Sequence, residues 1–329
     1  MKDLPDEQQS KLEKASFPEW LDPMLATLTD DYFDDENWIF ERKLDGIRVL
    51  VFSNGKDVSL KSRNGNELND TYPELVDVLK EESDEPFIAD GEIVAFDENV
   101  TSFSKLQNRM NISDPEEARN SNVKVYLYLF DLMYFSNYDL TELELRTRKQ
   151  ILKEALTFNN PVRYTSHRNK EGISFHEEAC EKQWEGIIAK DGRSGYVQSR
   201  SKKWLKFKCT ARQELVIGGY TDPQGERIGF GALLLGYYEN GDFLYAGQVG
   251  TGFDDELLEN LHSKLSNIER KTNPFESDDM EAEDVHFVTP KYIAEIEFTE
   301  WTNDNKLRHP RFLGLRKDKE PEDVHQEKA

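Results

Sequence analysis

Among its 329 residues the chain has only two cysteines, Cys180 and Cys209, and no Cys-x-x-Cys spacing. Two residues so far apart predict neither a disulfide framework nor a cysteine zinc site, so any metal should be held by oxygen. The six histidines, at 167, 176, 262, 286, 309 and 325, show no ligand spacing either. No apolar run approaches the roughly 20 residues needed to span a bilayer. The opening MKDLPDEQQSKLEK has neither the apolar core nor the Arg-rich amphipathic pattern of a leader. A cytoplasmic protein with no membrane partner is the expectation. Positive charge is scarce as well: 42 Lys and Arg against 65 Asp and Glu leave a formal net charge of -23. That balance argues against coating nucleic acid through an overall basic field.

The cations that are present cluster. From Asp191 to Arg212 seven of them stand against the single anion Asp191, and from Arg308 to Lys319 five stand against Asp318. Most charge runs are solvated faces, but two cationic islands in so acidic a chain ask for an anionic ligand.

The length suits two domains. Residues 1–17 are polar and aperiodic, which predicts a mobile arm or a short helix, and the closing EPEDVHQEKA (320–329) reads as a loose tail. Between them, residues 18–209 mix short strands and helices without a βαβ rhythm, which favours an α+β fold of antiparallel sheets. Strands are predicted at Trp38–Lys43, Ile47–Phe52, Val58–Ser62, Phe87–Phe96, Val123–Phe130, Gly186–Lys190 and Lys203–Cys209, and Asn54-Gly55 is a hairpin signal. Helices are predicted at Tyr72–Leu79, Ser104–Met110, Glu144–Ala155 and Ser174–Gln183. From residue 210 to 319 the texture becomes short glycine-punctuated strands with one helix at Asp254–Leu265. This predicts a small antiparallel barrel, OB-type or another of that size.

Chemistry concentrates at ERKLDGIR, residues 41–48. In an extended strand Glu41, Lys43 and Asp45 share one face. A free lysine is neutral only about once in 2,500 molecules at pH 7, so a nucleophilic lysine needs desolvation or neighbouring cations. Alternation puts Trp204, Lys206 and Lys208 on one face of their strand. Two further ammonium groups aimed into the same pocket would lower the pKa of Lys43 and hold a phosphate.

The pattern Lys43-Leu-Asp45-Gly46-Ile-Arg48 resembles the nucleophile motif of the covalent nucleotidyltransferases: ATP-dependent DNA ligases, RNA ligases and mRNA capping enzymes. In the family's order follow Ser62-Arg63-Asn64-Gly65, Asp90-Gly91-Glu92, Phe130-Asp131, Glu185-Gly186-Ile-Ile, Trp204-Leu-Lys206-Phe-Lys208 and Arg316-Lys-Asp318-Lys319. Residues 18–319 resemble the ligase domain of bacterial end-joining ligases of the ligase D type. The second domain carries that likeness in IGGYTDPQGERIGFGALLLGYY, AGQVGTGF and AEIEFTEWTNDNKLRHPRFLGLRKDK.

The resemblance implies a nucleotidyltransferase domain followed by an OB-fold domain, ATP as nucleotide donor, and Mg²⁺, or Mn²⁺ in its place. It implies that Lys43 takes AMP as a phosphoramidate, that Glu41 helps seat adenine, and that Phe130 stacks on it. Arg48 and Arg63 would contact the nucleotide and later the DNA 5′-phosphate. Glu92 would bind ribose and sit near metal, Glu185 would hold the divalent ion, and Lys206 and Lys208 the α-phosphate. Arg316, Asp318 and Lys319 would orient the departing pyrophosphate. The implied substrate is nicked or broken duplex DNA, worked on by a monomer, alone or with a Ku-like end-binding protein and a separate polymerase. An RNA ligase or GTP-dependent capping enzyme shares the nucleophile and the closing element, and only the second domain tells against it. Singly, each feature has a plainer reading: Lys43 as a strand-end surface lysine, Asp90-Gly91 as a turn, Phe130 as a core aromatic.

Overall fold

A computed structural model describes residues 4–225, 227–276, 284–302 and 304–327. The chain forms two compact units that divide between Cys209 and Thr210. The first begins with a one-turn helix α1 (Asp6–Gln9) and strands β1 (Glu13–Lys14), β2 (Leu25–Leu28) and β3 (Trp38–Arg42). Strands β4 (Ile47–Ser53) and β5 (Val58–Ser62) make the hairpin that Asn54-Gly55 predicts, with Gly55 at φ +87°. Helix α2 (Pro73–Leu79), with proline in its first turn, leads to β6 (Phe87–Asp97) and β7 (Val100–Thr101). Helix α3 (Phe103–Met110) is capped by Ser102 and α4 (Pro115–Arg119) by Asp114, whose side chains accept backbone N–H bonds. Then come β8 (Val125–Phe135), β9 (Tyr138–Asp139), α5 (Leu145–Ala155), β10 (Val162–Tyr164) and β11 (His167–Asn169). The unit closes with α6 (Gly172–Glu181), β12 (Gly186–Asp191) and β13 (Arg200–Lys208).

These strands form two sheets. The larger runs β1-β9-β8-β6-β4-β5, with β10 beside β8 and β7 beside β6; the smaller runs β11-β3-β12-β13-β2. Both are antiparallel except where β10 meets β8 and β2 meets β13. Alternation then makes layers. One face of the larger sheet, with Val49, Val51, Ala89 and Leu127, packs on Leu75, Leu106 and Leu152 of helices α2, α3 and α5. Its other face, with Leu50, Ile88 and Phe130, meets Met24 and Trp204 of the smaller-sheet segments. The far face of the smaller sheet packs Phe40, Ile187 and Phe207 on Phe175 and Ala179 of α6. The unit is thus helix, sheet, sheet, helix. The chain passes from the smaller sheet to the larger between β3 and β4, and Gly46 is in that crossing. A Cβ there would lie 2.2 Å from the Ile93 carbonyl oxygen, so only glycine fits.

A buried ion pair fastens β8 to α5. Arg148 and Asp131 are both fully buried and joined through two N–H···O bonds of 2.8 Å, while Arg148 Nη1 donates to the Leu143 and Ser194 carbonyls.

The ends are held more firmly than their composition predicts. Leu4 enters the core of the first unit, β1 pairs with β9, and the buried Gln8 side chain accepts the Glu144 N–H at 3.0 Å. The cysteines also depart from expectation. Helix α6 packs against β12, and this brings Cys180 in its last turn to Cys209 just after β13; the two are joined as a disulfide with a Cα–Cα separation of 5.2 Å.

The second unit contains β14 (Ala211–Thr221), β15 (Leu233–Glu239), β16 (Asp242–Val249), α7 (Asp255–Ser266), β17 (Val285–Phe287), β18 (Ile293–Phe298) and β19 (Arg311–Arg316). Its sheet runs β16-β15-β14-β18-β19 with β17 beside β14, antiparallel throughout. Five main strands and one helix are what an OB-type domain requires. The predicted loose tail is docked here through residue 327: Val324 is buried and its carbonyl accepts the Tyr238 N–H, while Gln213 bonds His325 and Glu327. Residues 328 and 329 lie outside the described residues. Among the described residues no helix is long and apolar enough to cross a membrane.

Replacing one partner of a buried ion pair strands the other charge, at a cost of about 3–5 kcal/mol. Arg148→Ala should therefore lower the free energy of urea unfolding by about that amount. A loss under about 1 kcal/mol, the range of exposed pairs, would show that the pair does not fasten β8 to α5.

Candidate active site

Register fixes which side chains share the space between the two sheets. In the smaller sheet Glu41 pairs with Ile188 and Ile188 with Lys206, while Lys190 pairs with Ile39 and Trp204. The Lys43 N–H donates to the Gly186 carbonyl at 3.0 Å, and Gly186 pairs with Lys208. Glu41, Lys43, Lys190, Lys206 and Lys208 therefore point the same way, as alternation predicts. From the larger sheet Arg48 pairs directly with Glu92, and Glu92 with Tyr128. One stretch of the interlayer is apolar, around Phe130, Trp204 and Met24, and the adjoining stretch is ionised.

Lys43 is gripped by Glu185: Nζ donates to Oε2 at 2.5 Å, with the lysine side chain 20% exposed and the glutamate 6%. Desolvation alone would push the Lys43 ammonium toward losing its proton. The carboxylate of Glu185, joined by the fields of Glu92 and Asp45, outweighs it, and the net pKa lies above that of an ordinary lysine. This reverses the expectation that neighbouring cations lower it. Alternation identifies the cations on a shared face but not the carboxylate, which arrives from the residue just before β12. Gly186 makes that approach feasible: at φ +145° it lies where glycine is favoured, and a Cβ would lie 2.0 Å from the Phe207 carbonyl oxygen.

Glu41 is buried between two lysines, with Oε1 at 2.5 Å from Lys149 Nζ and Oε2 at 2.6 Å from Lys190 Nζ. Burial disfavours its charge, but the two ammonium groups more than compensate and hold its pKa below the ordinary carboxylate value. Lys149 also donates to the carbonyls of Phe130 and Thr165. Arg48 donates from Nε and Nη2 to the fully buried Asp90 at 2.5 and 2.6 Å, and from Nη2 to the Met24 carbonyl at 3.1 Å. Asp90 further accepts the Tyr196 hydroxyl at 2.6 Å. Phe130, 8% exposed, stands edge-on to Trp204 with the Lys190 ammonium 4.2 Å and the Arg48 guanidinium 4.7 Å from its ring centre. Arg63 follows β5 in a tight turn, where the Gly65 N–H donates to the Ser62 carbonyl.

The structure thus brings Glu41, Lys43, Arg48, Glu92, Phe130, Glu185, Lys206 and Lys208 onto the two facing sheet surfaces of the first unit. Arg316, Asp318 and Lys319 belong to the second. There Arg316 is bound through two 2.8 Å contacts to Asp318 and by a 3.2 Å contact to Glu295, and Lys319 pairs with Glu214 at 2.5 Å. Burial would raise the Asp318 pKa, but Arg316 holds it below the usual range.

Lys190, Lys149 and His167 had no assignment from sequence. Lys190 was readable, since it lies two strand positions beyond Ile188 on the face that Glu41 uses. Lys149 sits in a charged helix and carries no signal of its burial. His167 pairs with Glu41 across β11 and β3, and its Nδ1 is buried with no hydrogen-bond partner. Burial, aided by the positive field of Lys149, lowers its pKa from 6.5 to about 4.

An unfolded chain takes up a proton at His167 near pH 6.5, whereas the folded chain does so only near pH 4. The histidine therefore favours folding above that window and disfavours it as the pH falls through it. Urea midpoints of the wild type should drop between pH 7 and 5 more steeply than those of His167→Gln. Parallel profiles would contradict the buried neutral imidazole.

The family model described as "ATP dependent DNA ligase domain" matches residues 23–208, and "ATP dependent DNA ligase C terminal region" matches residues 226–319. The multifunctional non-homologous end joining protein LigD of Mycolicibacterium smegmatis is 33% identical over 320 residues, covering 95% of this chain and 41% of that protein. The LigD protein of Pseudomonas aeruginosa is 34% identical, covering 94% of this chain and 37% of that protein. The chain therefore spans about two fifths of the length of these relatives. A solved mycobacterial DNA ligase D complexed with ATP and MES is 32% identical, covers 93% of this chain and 98% of its own, and superposes with a TM-score of 0.66.

Proposed function

Because this chain belongs to the ATP-dependent DNA ligase family, we propose that it seals 5′-phosphate/3′-hydroxyl breaks in duplex DNA through an AMP carried on Lys43. The observation that carries this reading is the placement of Lys43 beside Glu185 and Glu92, on the face it shares with Lys206 and Lys208.

Phosphoryl transfer asks mainly for in-line positioning and neutralisation of charge. In this reading the neutral Lys43 amine attacks the α-phosphorus of ATP, the bond to the β-phosphate oxygen breaks, and pyrophosphate leaves while the amine gives up a proton. Lys206 and Lys208 hold the α-phosphate, Phe130 lies against adenine, and Arg48 and Arg63 contact the nucleotide. Glu185, which clasps the ammonium at rest, is the carboxylate nearest the departing proton. AMP then passes to the DNA 5′-phosphate, restoring the lysine. The neighbouring 3′-hydroxyl attacks that phosphate and expels AMP.

The oxygens of Glu92 and Glu185, both close enough to Lys43 to raise its pKa, suit a hard divalent ion that keeps most of its water, Mg²⁺ before Mn²⁺. When bound it would neutralise charge on the phosphates. The likeness to the LigD end-joining proteins supports broken DNA ends as the substrate; an end-binding protein of Ku type and a separate polymerase are the partners this reading would call for.

Intact mass measured after incubation with Mg²⁺ and ATP should rise by one AMP in the wild type and not in Lys43→Ala, and the charged protein should seal nicked duplex DNA. A GMP increment from GTP, or sealing confined to RNA, would overturn the assignment.

A further inference from the structure

The disulfide has a third member beside it. His176 lies one turn before Cys180 on α6, and its Nε2 is 3.5 Å from the Cys180 sulfur. The ring is held in place by Tyr32, with centroids 4.1 Å apart, and by the edge of Phe207 at 6.2 Å. The ligand atoms of His176, Cys180 and Cys209 all lie within 4.8 Å of one another. His176 is buried while both cysteines are partly open to solvent, so an ion could reach the sulfurs.

Ligand lengths decide what this triad fits. With Zn–S near 2.3 Å and Zn–N near 2.0–2.1 Å, a tetrahedral centre has a sulfur-to-nitrogen edge of about 3.5 Å and a sulfur-to-sulfur edge of about 3.8 Å. The Cys180–His176 edge is already of that length. On reduction the two sulfurs would separate, the Cys209 sulfur would settle at the matching distance from His176, and Nε2, 3.3 Å from the Lys208 carbonyl oxygen, would give up that contact and turn its lone pair to the ion, with the ring proton on Nδ1. We propose that in the reduced protein His176, Cys180 and Cys209 form a site for a thiophilic divalent ion of the zinc class, with solvent in the fourth position. The site is distinct in ligand chemistry from the carboxylates beside Lys43, which suit a hard cation.

The two states exclude each other, because the disulfide sulfurs have no thiolate to give. A dithiol reductant transfers two electrons and two protons to the Cys180–Cys209 bond and becomes a disulfide itself. The two protein thiols then bind the divalent ion and release two protons. Occupancy reaches toward Lys43 through the backbone. Cys209 directly follows Lys208, and its N–H donates to the Glu185 carbonyl at 3.0 Å. The ion would pin that strand end to α6 in place of the covalent link.

The test uses the full chain, reduced and freed of reductant without air, with two thiols confirmed by a thiol reagent. Titration with Co²⁺ should give one equivalent of a complex with thiolate-to-cobalt charge-transfer absorption and tetrahedral ligand-field bands. The oxidised protein should give neither, and Cys180→Ser, with its fold checked by circular dichroism, should lose the charge-transfer band. If that variant does not fold, the comparison of oxidised with reduced wild type decides alone. Absence of the band in wild type carrying two titratable thiols, or equal cobalt spectra in both redox states, would overturn the proposal.

Discussion

The contact between Lys43 and Glu185 organises the space between the two sheets. An ammonium held between β-sheets loses most of its hydration, and burial of an unpaired charge is costly enough that the group would shed its proton. Here a carboxylate at 2.5 Å prevents that. Two unit charges near 4 Å apart gain about 1 kcal/mol in water but about 4 at the lower effective dielectric of a partly buried site. The lysine consequently rests as a cation, and nucleophilic chemistry at its nitrogen requires that Glu185 accept the proton or release its grip.

The rest of the interlayer obeys the same rule. Glu41 is charged because Lys149 and Lys190 flank it, and Asp90 accepts from both Arg48 and Tyr196. Each of these carboxylates has a partner of opposite sign or a hydrogen-bond donor, and the aromatic rings of Phe130 and Trp204 close the apolar end. Positioning comes from backbone features outside this network. Gly46 lets the chain cross from β3 to β4 just after Lys43, Gly186 lets Glu185 approach that lysine, and the Arg148–Asp131 pair fixes the strand that presents Phe130. The charges and the crossing are therefore one construction: a larger residue at 46 would press on the Ile93 carbonyl of β6 and displace the connection that carries Lys43.

The sequence made much of this legible, because strand alternation is a local property. The strands holding Glu41, Lys206 and Lys208, and the face they share with Lys43 just beyond β3, follow from residue order alone. What escaped was set by tertiary contact. The polar N-terminal arm gave no sign that Leu4 would reach the core or that Glu13 and Lys14 would pair with β9. Lys149 looks like any helix-surface lysine until α5 turns it toward Glu41. The cysteines, 29 residues apart, meet only because α6 folds back on the smaller sheet. The direction of the Lys43 shift depends on the same kind of contact, since the decisive carboxylate lies 142 residues away in sequence.

The chain belongs to the ATP-dependent DNA ligases, and the ion pair with Glu185 sets the resting charge of Lys43. The most direct test is the Lys43 pKa itself, read from side-chain nitrogen NMR with the resonance assigned through Lys43→Arg, in the wild type and in Glu185→Gln. The account predicts a wild-type value above the ordinary lysine value of about 10.4, falling when the carboxylate is neutralised. A wild-type value below the ordinary one, unchanged in Glu185→Gln, would contradict it.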